Sequence, residues 1–384
     1  MRPRERVLTA INHEIPDRVP IIIGASNATG IKMGPYRQIK KLIGVEAEER
    51  YLYDWPELGT AAMDEATLIR LHSDVRGVLD REPQAIIESN RTRQLGTAHL
   101  DSWGIGQVEI SPDTWFPGIH PLEEAKTLDD LENYPGWPDM NDPTRVAHVR
   151  AEAAKLAAEN EYAIMAVPWL LFPLERSFHM VKMDNFMMSM IENPDFVRLL
   201  LHKITEYCKV LMEHFLRELG DNVDIIKIGD DLGTQNSLLM SPRMYREFLK
   251  PFHEDYIAFI KARTKAKVFF HTDGDVFPLI GDFIEMGVDI LNPIQTSAGK
   301  MADLPALKKL YGKNITFCGA IDTHQVLPAG TPEMVRQEVR RVIETLGPGG
   351  GYLLATVHTV MNNVPAENIL AMVDAVQEFG HYQP

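Results

Sequence analysis

The stretch Lys267-Val268-Phe269-Phe270-His271-Thr272-Asp273-Gly274-Asp275 decides the fold. Its centre is apolar on consecutive residues, and the chain turns polar where that run stops. A strand buried on both faces reads this way, as in a parallel sheet covered by helices. The same grammar recurs at residues 19–24, 163–168, 223–229, 288–293, 315–319 and 351–356, with an eighth candidate near 71–78. Between these runs lie helix-length amphipathic segments at 194–219, 242–263, 276–286 and 332–346, and a short helix over 3–13 precedes the turn Ile15-Pro16-Asp17. Strands alternating with helices predict an α/β fold. Setting aside an insertion of roughly 85 residues leaves about 255 between positions 19 and 358, close to the ~250 of a (β/α)₈ TIM barrel. The insertion spans about 80–156 and is rich in Pro, Asp, Gly and Trp, as in Tyr134-Pro135-Gly136-Trp137-Pro138. It predicts loops and short antiparallel strands. The expected organisation is one domain over 1–384, a barrel with an N-terminal helical extension and this insertion.

Composition narrows the partners. The 384 residues are 45% hydrophobic and 24% charged, and 39 Lys+Arg against 54 Asp+Glu give a formal charge of −15. Nucleic acid and anionic membrane are poor partners for such a chain. Two cysteines, Cys208 and Cys318, cannot build a disulfide framework or a Cys-rich zinc site. The opening residues do not read as a signal peptide, and no run of about 18 apolar residues exists. A cytoplasmic location is expected.

Catalytic groups of a TIM barrel come from the C-terminal ends of several strands. Here those ends read Gly229-Asp230-Asp231, His271-Thr272-Asp273-Gly274-Asp275, Asn292-Pro293-Ile294-Gln295, Cys318-Gly319-Ala320-Ile321-Asp322 and Thr356-Val357-His358. Any one aspartate could equally cap the helix that follows, the expected role of Asp275. Five consecutive strands delivering polar groups to one face point instead to an active site. His271 and Asp273 stand two residues apart and project to the same side. Imidazole and carboxylate are ligands for zinc or a related divalent ion, and His358 supplies a third with a coordination position left open. The competing reading makes both histidines buried and satisfied by hydrogen bonds. Asp230, Asp231 and Asp322 are the catalytic candidates; Asn27, Asn292 and Gln295 are the substrate-binding ones. Cys318 reads as a small buried hydrophobe or a soft fourth ligand, and Cys208 as packing. The Met-rich run 180–190 reads as core or as the wall of an apolar pocket.

Several of these stretches also carry a family resemblance. Arg4-Glu5-Arg6-Val7, Pro16-Asp17-Arg18-Val19-Pro20, Ser241-Pro242-Arg243-Met244-Tyr245, His271-Thr272-Asp273-Gly274, Gly319-Ala320-Ile321-Asp322 and Val364-Pro365-Ala366-Glu367-Asn368 resemble the uroporphyrinogen decarboxylase superfamily. The resemblance runs from Arg4 to about Val376. It implies a (β/α)₈ barrel with one of two activities: cofactor-free decarboxylation of uroporphyrinogen, or zinc-dependent methyl transfer to or from a corrinoid protein. The decarboxylases carry an Arg-rich segment after the first strand that grips the substrate's carboxylates. Here Gly24-Ala25-Ser26-Asn27-Ala28-Thr29-Gly30 holds no arginine, which would leave buried anions unpaired. The methyltransferase branch holds zinc on a His-x-Cys pair and a later Cys, and the matching positions are His271, Asp273 and His358. Carboxylate and imidazole in place of thiolates suit polarisation of an oxygen leaving group.

The resemblance therefore implies a methyltransferase that demethylates a small, methoxylated substrate and passes the methyl group to a corrinoid (cobalamin) protein, with zinc or another divalent ion as Lewis acid. The alternative is a metal-independent decarboxylase or lyase acting on a different carboxylated substrate, and a third reading is a non-catalytic binder. Self-association as a homodimer is left open.

Overall fold

The computed structural model describes residues 1–55, 58–91, 99–111, 114–169 and 172–382; residues 92–98 and 112–113 of the expected insertion lie outside them. The strands, in chain order, are β1 Val75–Leu79, β2 His99–Leu100, β3 Gly106–Ser111, β4 Thr114–Ile119, β5 Ala163–Val167, β6 Ile225–Gly229, β7 Lys267–His271, β8 Ile290–Ile294, β9 Thr316–Ile321 and β10 Tyr352–Thr356. Seven pair in parallel in the order β1-β5-β6-β7-β8-β9-β10, each joined to the next through at least one helix. β2, β3 and β4 form a separate antiparallel sheet between β1 and β5.

Residues 19–24 take the eighth place. The Ile22 amide donates to the Leu354 carbonyl and the Leu354 amide to that of Pro20, both at 2.9 Å; on the other side the Asp74 amide donates to the Ile21 carbonyl at 2.8 Å. The sheet closes, and the architecture is a (β/α)₈ barrel. The expected first strand is a bridging segment rather than a full ladder, because Pro20 has no N–H and Gly24 turns away at a φ of 77°. Its seat is welded by charge: Arg6 and Arg18 reach the buried Asp74 at 2.6 and 2.9 Å, and Asp74 also accepts the Ile21 amide at 2.7 Å. A Cβ on Gly77 would stand 2.1 Å from the Ala25 carbonyl oxygen, so only glycine lets this segment lie against β1.

Strand alternation sorts the core into two layers. Ile226, Ile228, Val268 and Phe270 face the helices. Met165, Ile225, Phe269, Ile290, Cys318 and Leu353 fill the lumen, plugged from below by Val7, Ala10 and Ile11 of the helix Pro3–Ile11. At the upper end Leu52, Tyr53 and Trp55 join the same cluster, with Trp169 packed against it.

The helices Pro194–Leu219 and Pro332–Leu346 follow the sequence expectation. The segment 242–263 breaks into Pro242–Phe248 and Lys250–Lys261, because Pro251 lacks an N–H and its ring clashes with the preceding turn. The Met-rich run is surface as well as core: Met180 and Met190 are buried, Met183 and Met188 exposed. No helix among the described residues is long and apolar enough to cross a membrane.

Candidate active site

The C-terminal ends of β6 to β10 open onto a cavity of about 460 Å³ whose walls include Gln235, Asp273, Gln295, His324, His358 and Asn363. No lysine or arginine stands among its lining residues. His271 ends β7 with its backbone opposite Gly229 of β6. Glycine is required at 229, since a Cβ there would come within 2.7 Å of the His271 Cβ. The His271 Nδ1 lies 2.7 Å from the Asn292 Oδ1, so it donates to that oxygen and leaves Nε2 as the free lone pair. Asp273 follows on the same side, and His358 enters from beyond β10. The ligand atoms of His271, Asp273 and His358 all lie within 4.8 Å of one another. His358 Nε2 is 3.7 Å from Asp273 Oδ2, and the two imidazole rings are 5.5 Å apart. Imidazole nitrogen and carboxylate oxygen are the donor types that zinc takes, and these three would be the residues to hold it.

Electrostatics fit a cation. Burial holds His271 well below the ordinary imidazole value, with Lys227 and His358 adding to it. His358 is pushed down to about 4, chiefly by burial and then by Lys227, although 40% of its side chain faces the cavity. Both rings are therefore neutral, the form that ligates a metal. Asp273 is raised well above the usual carboxylate range by burial and by Asp231, against the pull of Lys227. Its Oδ1 is buried with no hydrogen-bond partner, an arrangement that costs about 1–3 kcal/mol unless something is bound there. The residues present fit a divalent ion.

The other candidate residues divide. Asp231 stands beside the candidate ligands: its Oδ1 accepts the Asp273 amide at 2.9 Å and lies 4.0 Å from His271 Nε2. Asp230 does not. It is fully buried and its oxygens accept the amides of Leu174 and Glu175, both at 2.8 Å, so in place of the catalytic role expected of it, it holds a helix start. Asp322 is likewise a cap rather than a catalytic group, accepting the amides of His324, Gln325 and Val326 at 3.1, 2.7 and 3.0 Å. Asp275 caps as expected, taking the Phe277 amide at 3.4 Å and the Lys300 amide at 3.1 Å. Asn292 is fully buried behind His271 and orients that ring instead of binding substrate. Gln295 lines the cavity, its oxygen committed to the Gly274 amide at 2.7 Å and its NH₂ end left over. Asn27 is absent from the cavity wall, and its backbone carbonyl accepts the Thr359 hydroxyl at 2.6 Å. Cys318 stands outside the ligand group, its Sγ 3.6 Å from Asn292 Nδ2.

Two residues escaped the sequence reading. Lys227, inside an apolar strand, points into the lumen and has its pKa lowered by burial against the pull of Glu175, Asp231 and Asp273. Glu175, at the start of the helix Leu174–Val181, is raised well above its usual value by burial and Asp231. Lys227 carried a signal: it shares the parity of Ile225, a lumen residue. Glu175 carried none, since nothing local marks a helix start that folds over the mouth.

Residues 103–379 match the uroporphyrinogen decarboxylase (URO-D) family. The chain belongs to that family. Among individual relatives, uroporphyrinogen decarboxylase of Coxiella burnetii is 25% identical over 194 residues, 49% of this chain and 49% of that one. Methylated-thiol–coenzyme M methyltransferase of Methanosarcina mazei is 22% identical over 245 residues, 63% of this chain and 61% of its own. The chain thus spans about half the length of the decarboxylases it matches. A solved methyltransferase structure from Methanosarcina mazei superposes with a TM-score of 0.66 at 20% identity, covering 99% of both chains. That likeness shows a shared fold.

Proposed function

We propose that this URO-D family protein is a methyltransferase that demethylates a small, methoxylated substrate and passes the methyl group to a corrinoid protein, with a divalent ion, zinc first among them, held by His271, Asp273 and His358. The observation that carries this reading is the convergence of those three ligand atoms within 4.8 Å, with Asp273 and His358 lining the mouth cavity. A divalent ion bound there supplies Lewis acidity to the departing oxygen. The chain's own residues do the rest. Asn292 fixes the His271 ring so that Nε2 faces the pocket. Asp231, its pKa raised by burial, holds a proton beside the ligands and delivers it to the leaving oxygen. The NH₂ end of Gln295 binds substrate from the wall. A decarboxylase acting on a polyanion would need several cations around its ligand; the cavity lining supplies none, and Lys227 beneath it already faces Glu175, Asp231 and Asp273. The experiment is metal analysis of the purified protein, joined to a methyl-transfer assay with methoxylated compounds and a reduced corrinoid protein. Stoichiometric zinc and methylated corrinoid support the reading; metal-free protein that releases carbon dioxide from a carboxylated substrate overturns it.

A further inference from the structure

The two imidazoles of the candidate site are held differently. Asn292 fixes the His271 ring. No side chain among the described residues hydrogen-bonds the His358 ring, and Asp273 Oδ2 stands 3.7 Å from its Nε2. The placement of His358 therefore rests on the backbone around it. On one side the Val357 amide donates to the Ile321 carbonyl of β9 at 2.9 Å. On the other side the chain has left β10 and is tied to residues 24–30 instead. The Thr359 hydroxyl donates to the Asn27 carbonyl at 2.6 Å, and the Val360 amide to that of Gly30 at 2.9 Å. Residues 24–30 form a loop that presents this carbonyl. The Gly24 amide donates to the Thr29 carbonyl at 2.7 Å and the Gly30 amide to that of Asn27 at 3.0 Å. Inside the loop the side chains of Ser26 and Thr29, both fully buried, bond reciprocally. Thr29 Oγ1 accepts the Ser26 amide at 3.2 Å, Ser26 Oγ accepts the Thr29 amide at 3.3 Å, and the two hydroxyls lie 3.1 Å apart. Side chains that satisfy nearby backbone amides fix a turn in one conformation. Thr359 itself is 5% exposed, so water competes little for its bond to Asn27.

We infer that Thr359 is a positioning residue for the His358 ligand, clamped by its hydroxyl to the Asn27 carbonyl of the Ser26–Thr29 loop. This rests on the metal reading above. Thr359 follows His358 directly in the chain, so a slip of its backbone carries the imidazole with it. A working ligand set has to be held to within about 0.5 Å, and the hydroxyl bond denies the segment after β10 that much drift. The loop that holds no arginine thus spends its polar groups on its own turn and on the residue next to a ligand.

The test is titration of metal-free protein with Co²⁺, followed by visible absorption, in wild type, Thr359→Val and Thr359→Ser, with Tm measured on each. Valine keeps the branched shape and lacks only the hydroxyl; serine keeps the hydroxyl. Thr359→Val is expected to weaken Co²⁺ binding roughly tenfold, the lower end of what losing an outer support of a ligand costs. It should also dim the absorption per bound ion, since four-coordinate Co²⁺ absorbs more strongly than a more hydrated one. Tm should fall little, because the Asn27 carbonyl keeps the Gly30 amide. Thr359→Ser should bind much closer to wild type than to the valine variant. A merely structural role would lower Tm in Thr359→Val and leave affinity and absorption unchanged, which overturns the clamp. Binding in Thr359→Ser as weak as in Thr359→Val also overturns it, since the hydroxyl would then not be the operative group. Should Thr359→Val fail to fold, Ser26→Ala removes the reciprocal bonds of the loop and leaves Thr359 in place. It is expected to weaken Co²⁺ binding by a smaller factor, and affinity equal to wild type overturns the clamp. Wild-type protein that binds no Co²⁺ overturns the metal reading and the clamp together. Binding that His358→Ala abolishes but Thr359→Val does not alter overturns the clamp alone.

Discussion

The mouth of this barrel has two halves that bury charge to opposite ends. On the side of β7 to β10, His271, Asp273 and His358 converge on a cavity, and Asp273 keeps a buried oxygen with no partner. On the side of β1 and β5, charges lie as deep but are matched within the protein. Arg176 meets Asp101 at 2.6 Å and stacks over Trp103, and Arg145 meets Glu82 at 3.5 Å. These pairs tie the inserted segment to the barrel, under an aromatic cover in which Tyr53 and Trp169 lie 4.6 Å apart. Burial of charge alone therefore does not mark a functional site. The distinction is whether the counter-charge is supplied by the chain or has to come from outside.

The largest effects should separate the halves cleanly. His271→Ala or His358→Ala should abolish stoichiometric metal binding and methyl transfer, with the smaller loss of Tm at His358, which lines the cavity, and the larger at buried His271. Asp101→Ala should do the reverse, costing about 3–5 kcal/mol because Arg176 is left buried and unpaired, a loss read by denaturant unfolding. Replacing the pair together, as Asp101→Leu with Arg176→Met, should recover most of it. If Asp101→Ala instead strips metal at unchanged stability, the division into halves is wrong.

Asp80 sharpens the comparison, being a carboxyl on the structural side that, like Glu82, keeps one buried oxygen without a hydrogen-bond partner. It is fully buried, its Oδ1 accepts the Trp169 amide and its Oδ2 has no partner. Burial raises its pKa to about 7, with Glu82 adding and Arg145 opposing. The folded state then holds a proton that the unfolded chain releases near pH 4, so stability is greatest at the acid end and falls as pH rises to about 7, by roughly 1.4 kcal/mol per unit. Asp80→Asn should flatten that slope and be the more stable protein at pH 8. Urea unfolding at pH 5 and pH 8 decides it; parallel slopes would exclude the argument.

On the other half, pH should act through the metal. Asp273 is raised and both histidines are depressed, so a proton that the cation displaces comes from the carboxyl and not from an imidazole. Affinity should climb by up to about tenfold per pH unit below the raised pKa of Asp273 and show no inflection near 6.5, the ordinary histidine value. Proton release on Zn²⁺ addition to unbuffered protein measures this directly, and an inflection at 6.5 would locate the titrating group on an ordinary imidazole.

How much of this could be read from the sequence follows from strand parity. The barrel was legible because apolar runs of strand length recur with helix-length spacing, and His271 with Asp273 because a two-residue step keeps one side. Asp230 and Asp231 looked alike as letters. Parity separates them, for Asp231 steps in register with Lys227 and the lumen residue Ile225, and Asp230 with Ile226 and Ile228, which face the helices. Asp322 and Asn292 could not be assigned this way, since capping and ring orientation depend on where the following loop turns. The placement of Glu175 depends on tertiary contacts that no local pattern encodes.

The smallest expected effect concerns Cys318, which sits between the two kinds of burial. It points into the lumen, fully buried, and it is the one thiol near the candidate ligands. Its Sγ faces Asn292 Nδ2 at 3.6 Å, and the same amide also reaches the Cys318 carbonyl at 3.4 Å. Burial raises the thiol far above its usual value, so it is protonated and a poor ligand. Asn292 keeps the carbonyl as an acceptor when the sulfur is removed, and its oxygen still holds His271. Cys318→Ala should therefore leave metal content intact, change affinity less than about twofold, and cost about 1 kcal/mol for the small space it opens. Cys318→Ser, which seats a hydroxyl among apolar lumen residues, should cost somewhat more stability and equally little metal. A cobalt-substituted protein without a thiolate-to-metal absorption band would agree; a band lost in Cys318→Ala would move the sulfur into the ligand set and make the pocket softer than its histidines and carboxylate imply.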